Sequence, residues 1–201
     1  HRYTIFKLYN NAQGSTTEKH YNLLRTRVGT SVEGFGSFFN HTLPNYFGLF
    51  PDIEHPFGCL GNAFHAELYA GFYVVNPPFT TQLMNRTIEH VRQQMTHARG
   101  HLRVLLVLPT WVNDERRQLN KICWPRLKIQ SYRDTVDTAE LRNDPNTLQY
   151  ALYCKNHYTY HSYLTDRPTC FCATTTVLMS NRSPYDGPLT AIVNRIMGKP
   201  T

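Results

Sequence analysis

The stretch Val74-Val75-Asn76-Pro77-Pro78-Phe79-Thr80-Thr81 brings together residue types that can hold a planar amine. Asn76 offers a carboxamide oxygen as acceptor, and the carbonyl of Pro77 offers a second. Pro77 and Pro78 lock that carbonyl into an extended geometry at little entropic cost. Phe79 adds a ring on which a base can stack, typically worth about 1–3 kcal/mol. The amine of adenine is a poor nucleophile because its lone pair is delocalised into the ring. A site that methylates it must grip the amino hydrogens and aim the nitrogen at a sulfonium methyl. A neutral amide has no suitable pKa for a general base, so the chemistry open to Asn76 is positioning and polarisation. The same four residues also suit a plainer task, capping a strand and turning the chain. Taken alone they do not choose between the two.

The flanking elements favour the site. Glu67 to Val75 is a β-rich run, and because prolines cannot donate to a sheet ladder, Val75 is its last paired residue. From Thr80 or Thr81 to His97 the apolar residues Leu83, Met84, Ile88, Val91 and Met95 recur with helical period. Gly100 closes that helix. Leu102 to Pro109 is almost continuously apolar, which predicts a strand buried on both faces of a parallel sheet. Strand, helix and strand make a βαβ unit with a right-handed crossover. The end of its first strand is where open α/β sheets bind ligands.

Elsewhere the signals are shorter. Residues 2–9 predict a strand, Thr16 to Arg27 a helix capped by Thr16 or Thr17, and Ser31 to Phe35 a strand running into a glycine turn. Phe38 to Phe50 reads as irregular helix and loop, and residues 50–58 as a loop with two prolines. Residues 113–146 are polar and charged and read as a surface excursion. Leu148 to Cys154 and Cys172 to Ser180 predict two further strands around a Tyr/His-rich stretch at 155–168. The expected architecture is α/β, a mostly parallel sheet flanked by helices in one domain over residues 1–201.

A methyl-transfer site needs a second half, a glycine-containing turn after another strand, to hold S-adenosylmethionine. Ser31 to Asn40, SVEGFGSFFN, is the candidate. Gly36 permits close approach to a cofactor, and Glu33 has the charge to hold its ammonium group. Asp52 and Glu54 are candidates for the ribose hydroxyls, although a solvated loop acid is an equal reading.

Composition narrows the partners. The 201 residues carry 21 Lys and Arg against 14 Asp and Glu, a net charge of +7 that suits a phosphate-rich partner. The basic residues are scattered and form no tail. Five cysteines at irregular spacing point to a reduced intracellular compartment, nucleus or cytoplasm first, with an organelle also open. Cys154, His157, His161, Cys170 and Cys172 resemble zinc ligands in type but lack the paired spacing of a finger, so no metal is expected. No stretch approaches the roughly 18 apolar residues of a membrane span. The chain opens on His1 rather than Met, so nothing follows from the lack of a targeting signal.

In order along the chain, Glu33, Phe35, Ser37 and Asn40, then Phe50-Pro51-Asp52, then Phe57-Gly58, then Asn76 to Phe79, resemble one family. It is that of the phosphorylated-CTD-interacting factors, cap-specific adenosine N6-methyltransferases. Pro109-Thr110-Trp111 and the strand from Thr176 to Asn181 extend the resemblance, which spans roughly residues 20–182 and only the catalytic core. It implies a Rossmann-like class I methyltransferase core with S-adenosylmethionine as cofactor and capped mRNA as substrate. It further implies that Asn76, Pro77, Pro78 and Phe79 are catalytic, and that Glu33, Phe35, Gly36, Ser37, Asn40 and Asp52 hold the cofactor. The region of His157, Tyr158 and Tyr160 aligns with a substrate-side loop. The family's large helical companion domain has no counterpart here, so a partner chain in its place is a further expectation. Two other readings stay open. One is an inactive RNA-binding or structural subunit of a larger complex. The other is an enzyme acting on DNA adenine or a glutamine amide, which Asn-Pro-Pro-aromatic sites also serve.

Overall fold

The computed structural model describes residues 14–110, 139–154, 157–162, 166–170, 172–182, 186–198 and 200. The strand expected over 2–9, Trp111 and residues 113–138 of the excursion lie outside the described residues. In chain order the elements begin with strand β1 (Gly14–Thr16), helix α1 (Glu18–Val28) and strand β2 (Val32–Phe35). Strand β3 (Asn45–Gly48), helix α2 (Pro51–Glu54), a 3-10 turn (His55–Phe57) and strand β4 (Cys59–Asn62) follow. Next come strand β5 (Gly71–Val75), helix α3 (Thr81–His97), strand β6 (Leu102–Pro109) and helix α4 (Ala139–Arg142). The described chain closes with strands β7 (Thr147–Tyr153), β8 (Tyr160–Ser162), β9 (Arg167–Thr169) and β10 (Thr174–Ser180), then helix α5 (Gly187–Met197).

Seven strands form one sheet in the order β4-β3-β2-β5-β6-β10-β7, and β1, β8 and β9 form a small second sheet. From β4 to β6 every neighbour pair is parallel. Strand β10 runs antiparallel to both β6 and β7, so it alone is reversed. Counted in chain order within the large sheet, the strands lie third, second, first, fourth, fifth, seventh, sixth. The first five places follow the order of a doubly wound nucleotide-binding sheet. The connection from the first strand reverses direction between β2 and β5.

Helices cover both faces. Along β6, Val104, Leu106 and Leu108 meet the α3 residues Met84, Ile88, Val91 and Met95 on one side. Leu105 and Val107 turn to the other side, with Tyr21 and Leu24 of α1 and Leu189, Val193 and Met197 of α5. This alternation is why the strand reads as continuously apolar, and each large side chain so buried contributes roughly 1.5–3 kcal/mol. The helix ends follow local chemistry. Thr17 caps α1 by accepting from the His20 N–H, and Gly29 ends it at φ 85°, where a side chain is disfavoured. Asp186 caps α5 by accepting from Leu189 N–H at 3.1 Å.

Where the structure departs from expectation, the elements are short. The segment expected to be irregular holds β3, four residues between Pro44 and a glycine end, too brief to show a period. The expected loop at 50–58 holds α2, which starts on Pro51 at its first position. The Tyr/His-rich stretch holds β8 and β9, each three residues and each dependent on a distant partner. Helix α5 has no counterpart among the sequence expectations.

Gly34 matters to the fold. A Cβ there would lie 2.4 Å from Val75 Cγ2, so glycine lets β2 and β5 approach side by side. Gly34→Ala is expected to lower stability by about 1–3 kcal/mol in urea unfolding. A loss below about 0.5 kcal/mol would show that the two strands part without cost.

Candidate active site

The carboxyl ends of β2 and β5 are neighbours, with Glu33 paired to Val74 and Phe35 to Val75. The two segments singled out in sequence, 36–40 and 76–79, therefore emerge together at the point where the strand order reverses. That crevice is where open α/β sheets place ligands.

Asn76 follows directly on the last residue of β5 and is only 7% exposed. Its Nδ2 donates to the carbonyl of Gly14 in β1 at 2.8 Å. That bond settles the amide's orientation and leaves Oδ1 buried with no partner among the described residues. An unmatched buried acceptor costs roughly 1–3 kcal/mol, so this atom calls for a donor. Pro77 is buried behind it. The Pro78 carbonyl accepts from Thr80 N–H at 2.7 Å, which turns the chain into α3.

Phe79 differs from expectation. It is 5% exposed and meets Tyr160 edge-on, ring centroids 5.2 Å apart. In this arrangement it is part of the core and presents no open face for stacking.

The turn after β2 is tightly tied. Gly36 N–H donates to the Phe47 carbonyl at 2.8 Å, and a Cβ on Gly36 would lie 3.1 Å from Tyr46. Asn40 Oδ1 accepts from both the backbone N–H and the hydroxyl of Ser37, each at 2.9 Å. Phe35 is a core residue, packed edge-on against Phe64. Phe38 is half-buried, stacked between Phe39 and Phe57 at centroid distances of 3.6 and 5.2 Å.

Two buried carboxylates hold this turn rather than facing solvent. Glu33 Oε1 accepts from the backbone N–H groups of Thr42 and Leu43, and its Oε2 accepts from the Tyr21 hydroxyl at 3.1 Å. Its partners leave an ammonium-binding role without support, because the carboxylate is 1% exposed and already used. Burial pushes its pKa up to about 7, against the pull of the Leu43 and Thr42 N–H groups and of Tyr21. Glu54 is equally buried and accepts from Phe38 N–H at 3.2 Å and Phe50 N–H at 3.0 Å. Asp52, the acid expected at the ribose, is exposed on α2.

Sequence reasoning missed Tyr46. Its side chain is fully buried, and its hydroxyl has no hydrogen-bond partner among the described residues. Burial raises its pKa, and the charges of Glu54 and Cys59 raise it further. Nothing in an aromatic-rich stretch distinguishes this tyrosine from its neighbours.

The residues expected on a substrate-side loop separate. His157 is exposed, whereas Tyr158 and Tyr160 are fully buried. The Tyr158 hydroxyl lies 3.3 Å from Thr16 Oγ1, and that of Tyr160 lies 2.8 Å from Thr174 Oγ1. Burial raises both phenols. They fasten the small sheet to the body and offer no surface to a substrate. Among the described residues no group of three or more His, Cys, Asp or Glu can hold a metal, and no helix is long and apolar enough to cross a membrane. Lys and Arg nearly balance Asp and Glu within the described residues, so most of the positive excess belongs to other parts of the sequence.

A cavity of about 630 Å³ lies between α3 and residues 140–146. Arg92 in its wall is already paired with Asp144 at 2.9 Å and Glu140 at 3.0 Å. Its lining starts at Asn85 and takes in none of the residues at the β2–β5 crevice.

Comparison with known proteins bears on the crevice. A sequence model described as "Phosphorylated CTD interacting factor 1 WW domain" matches residues 1–137, a span that runs through β1 to β6 and α3. The chain belongs to this family. Among curated proteins it is 27% identical over 116 residues to an mRNA (2'-O-methyladenosine-N(6)-)-methyltransferase of Mus musculus. The protein of the same name from Homo sapiens matches equally, at 27% over 116 residues. Each match covers 58% of this chain and 16% of the relative, so the chain spans a small part of their length.

Glu33 generates a pH prediction. Its folded pKa, about 7, lies above the ordinary 4.5, so the unfolded chain ionises first as pH rises. Stability is full below 4.5, falls through the window up to about 7, and is flat above it. Glu33→Gln keeps the acceptor for Thr42 and Leu43 and cannot ionise. Urea unfolding at the two ends of that window should therefore show a fall on the order of 3 kcal/mol at most in the parent, absent in the variant. Parallel pH curves would show that the carboxylate is ionised throughout.

Proposed function

We propose that this chain is a Rossmann-like class I methyltransferase core that transfers a methyl group from S-adenosylmethionine to the N6 amine of adenosine in RNA. Capped mRNA is the first substrate to test. The observation that carries the reading is the Oδ1 of Asn76 at the strand-order reversal, buried and without a partner among the described residues. A carbonyl oxygen there accepts one amino hydrogen of the base, and the Pro77 carbonyl accepts the second. With both hydrogens held, the nitrogen lone pair is turned out of conjugation and aimed along the line of transfer. The relatives' names add the substrate class.

The residues after β2 fit S-adenosylmethionine on two structural grounds. Gly36 brings backbone close against Tyr46, where a Cβ would sit tightly at 3.1 Å, and the buried hydroxyl of that tyrosine lacks a partner among the described residues. Gly36, Ser37 and Asn40 are the residues assigned to hold the cofactor, which when bound supplies a sulfonium-activated methyl. Glu33 and Glu54 position the turn through backbone N–H groups. Asn76 and the Pro77 carbonyl would hold the amine in line with the methyl that the bound cofactor supplies, and the proton displaced from the amine would pass to solvent. No side chain of the motif needs to act as base.

One observation favours a second reading, a subunit that keeps the fold without turnover. Asn76 and Phe79 are both closed to solvent in this structure, so an adenine must open the site to enter.

Methyl-transfer assays with capped RNA, uncapped RNA and DNA, together with calorimetry for S-adenosylmethionine, decide between them. The expected result is cofactor binding, transfer to RNA, and loss of about 100-fold or more in Asn76→Ala with cofactor affinity little changed. No binding, together with equal background methylation by parent and variant, would establish the inactive subunit.

A further inference from the structure

We infer that the Gly14 carbonyl is a positioning group for Asn76, fixing which end of the amide faces the crevice and restricting position 76 to an amide. The inference rests on the proposed amine-binding role of Asn76 for its catalytic consequence, although the restriction itself is a property of the fold.

An asparagine side chain has an acceptor end and a donor end of nearly the same shape. Only the acceptor end can receive an amino group; the donor end would face two N–H bonds with two of its own. At this strand end the choice is made by a residue 62 positions away in sequence, since Asn76 Nδ2 donates to Gly14 O at 2.8 Å. The other end, Oδ1, is left buried and unpartnered among the described residues. A flipped amide would set oxygen against oxygen at Gly14 and lose that bond.

The carbonyl is itself held in place. Gly14 is paired with Ser162 across β1 and β8. Thr16 meets the buried Tyr158 hydroxyl, and Tyr160 of β8 bonds Thr174 in the large sheet while touching Phe79 edge-on. The small sheet thus grips the Asn-Pro-Pro-Phe segment at both ends, by a backbone carbonyl at Asn76 and by a ring at Phe79. This gives three short strands, none apolar enough to form a core alone, a part in the site.

An ionised aspartate has only acceptors. Placed at 76 it would face the Gly14 carbonyl with a buried negative charge, although its second oxygen would still suit an amine. A frame without that carbonyl accepts either residue. This one does not.

The test uses the full chain with Asn76→Asp and Asn76→Ala. Thermal unfolding, cofactor affinity and methyl transfer to RNA are measured at pH 5.5 and pH 8, each as a ratio to the parent. Ratios are needed because burial pushes the pKa of Glu33 on the neighbouring strand up to about 7, so the parent itself changes between the two pH values. Among the described residues, Tyr160 and His161 of β8, Asp166 beside His161, Tyr158 with His20 against it, and Tyr21 at Glu33 are other titratable groups nearby, and they too are common to all three proteins. At pH 8 the Asp variant should melt several degrees below the Ala variant and lose about 100-fold in turnover with cofactor affinity within about threefold. At pH 5.5 a protonated carboxyl can donate to Gly14, so both ratios for Asn76→Asp should recover while those for Asn76→Ala stay level. Equal losses in the two variants at both pH values would overturn the inference, as would an Asp variant that matches the parent at pH 8. If the parent transfers no methyl group and binds no cofactor while the unfolding ratios still show this pattern, the Gly14 restriction stands and the methyltransferase reading falls.

Discussion

The contact between Gly34 and Val75 is the constraint on which the arrangement depends. These residues sit in β2 and β5, the pair between which the strand order reverses. A parallel pair so close in space and so far apart in sequence places two unrelated loop ends side by side. One carries Gly36 to Asn40, the other Asn76 to Phe79. The Cβ of any side chain at 34 would collide with Val75, so its absence is what allows the two halves to meet.

Around that meeting point the polar groups divide into those that build and those that remain to be used. Glu33 and Glu54 are buried acids, yet Glu54 spends both oxygens on backbone N–H groups of the loops nearby, and Glu33 spends one there and the other on the Tyr21 hydroxyl. They resemble the anchors of a frame more than contacts to a ligand. Their oxygens satisfy donors that a folded loop would otherwise bury without partners. The Asn76 amide oxygen and the Tyr46 hydroxyl stay unmatched among the described residues, as do three side-chain atoms of His20, Arg103 and Gln149. Asn76 and Tyr46 belong to strands of the parallel half or to their immediate ends, and both lie within the span that matches the family.

Aromatic residues tell the same story in reverse. Phe79, Tyr158 and Tyr160 look, by type, like rings for stacking a base. In the fold they pack on one another and on the second core layer, with their hydroxyls bonded internally. Phe39 and Phe57, beside the glycine turn, are exposed instead. Ring type says what a residue can do, and burial decides whether it does so.

Much of the parallel half was legible in the residues. Strand β6 runs over the expected Leu102 to Pro109, and α3 follows the period of Leu83, Met84, Ile88, Val91 and Met95, because long apolar patterns depend on local geometry repeated many times. The Asn-Pro-Pro-Phe segment was recognisable from residue type alone, since prolines end a strand wherever they fall. Other than β2, marked by its glycine turn, short strands were not legible: β1, β3, β8 and β9 hold three or four residues each and exist by virtue of partners elsewhere in the chain. Nor was the direction of the Asn76 amide, which a carbonyl 62 residues earlier decides. Sequence determined which groups this protein has available for gripping an amine. Tertiary structure decided which of them are already engaged, because hydrogen-bond partners and burial are set by neighbours in space.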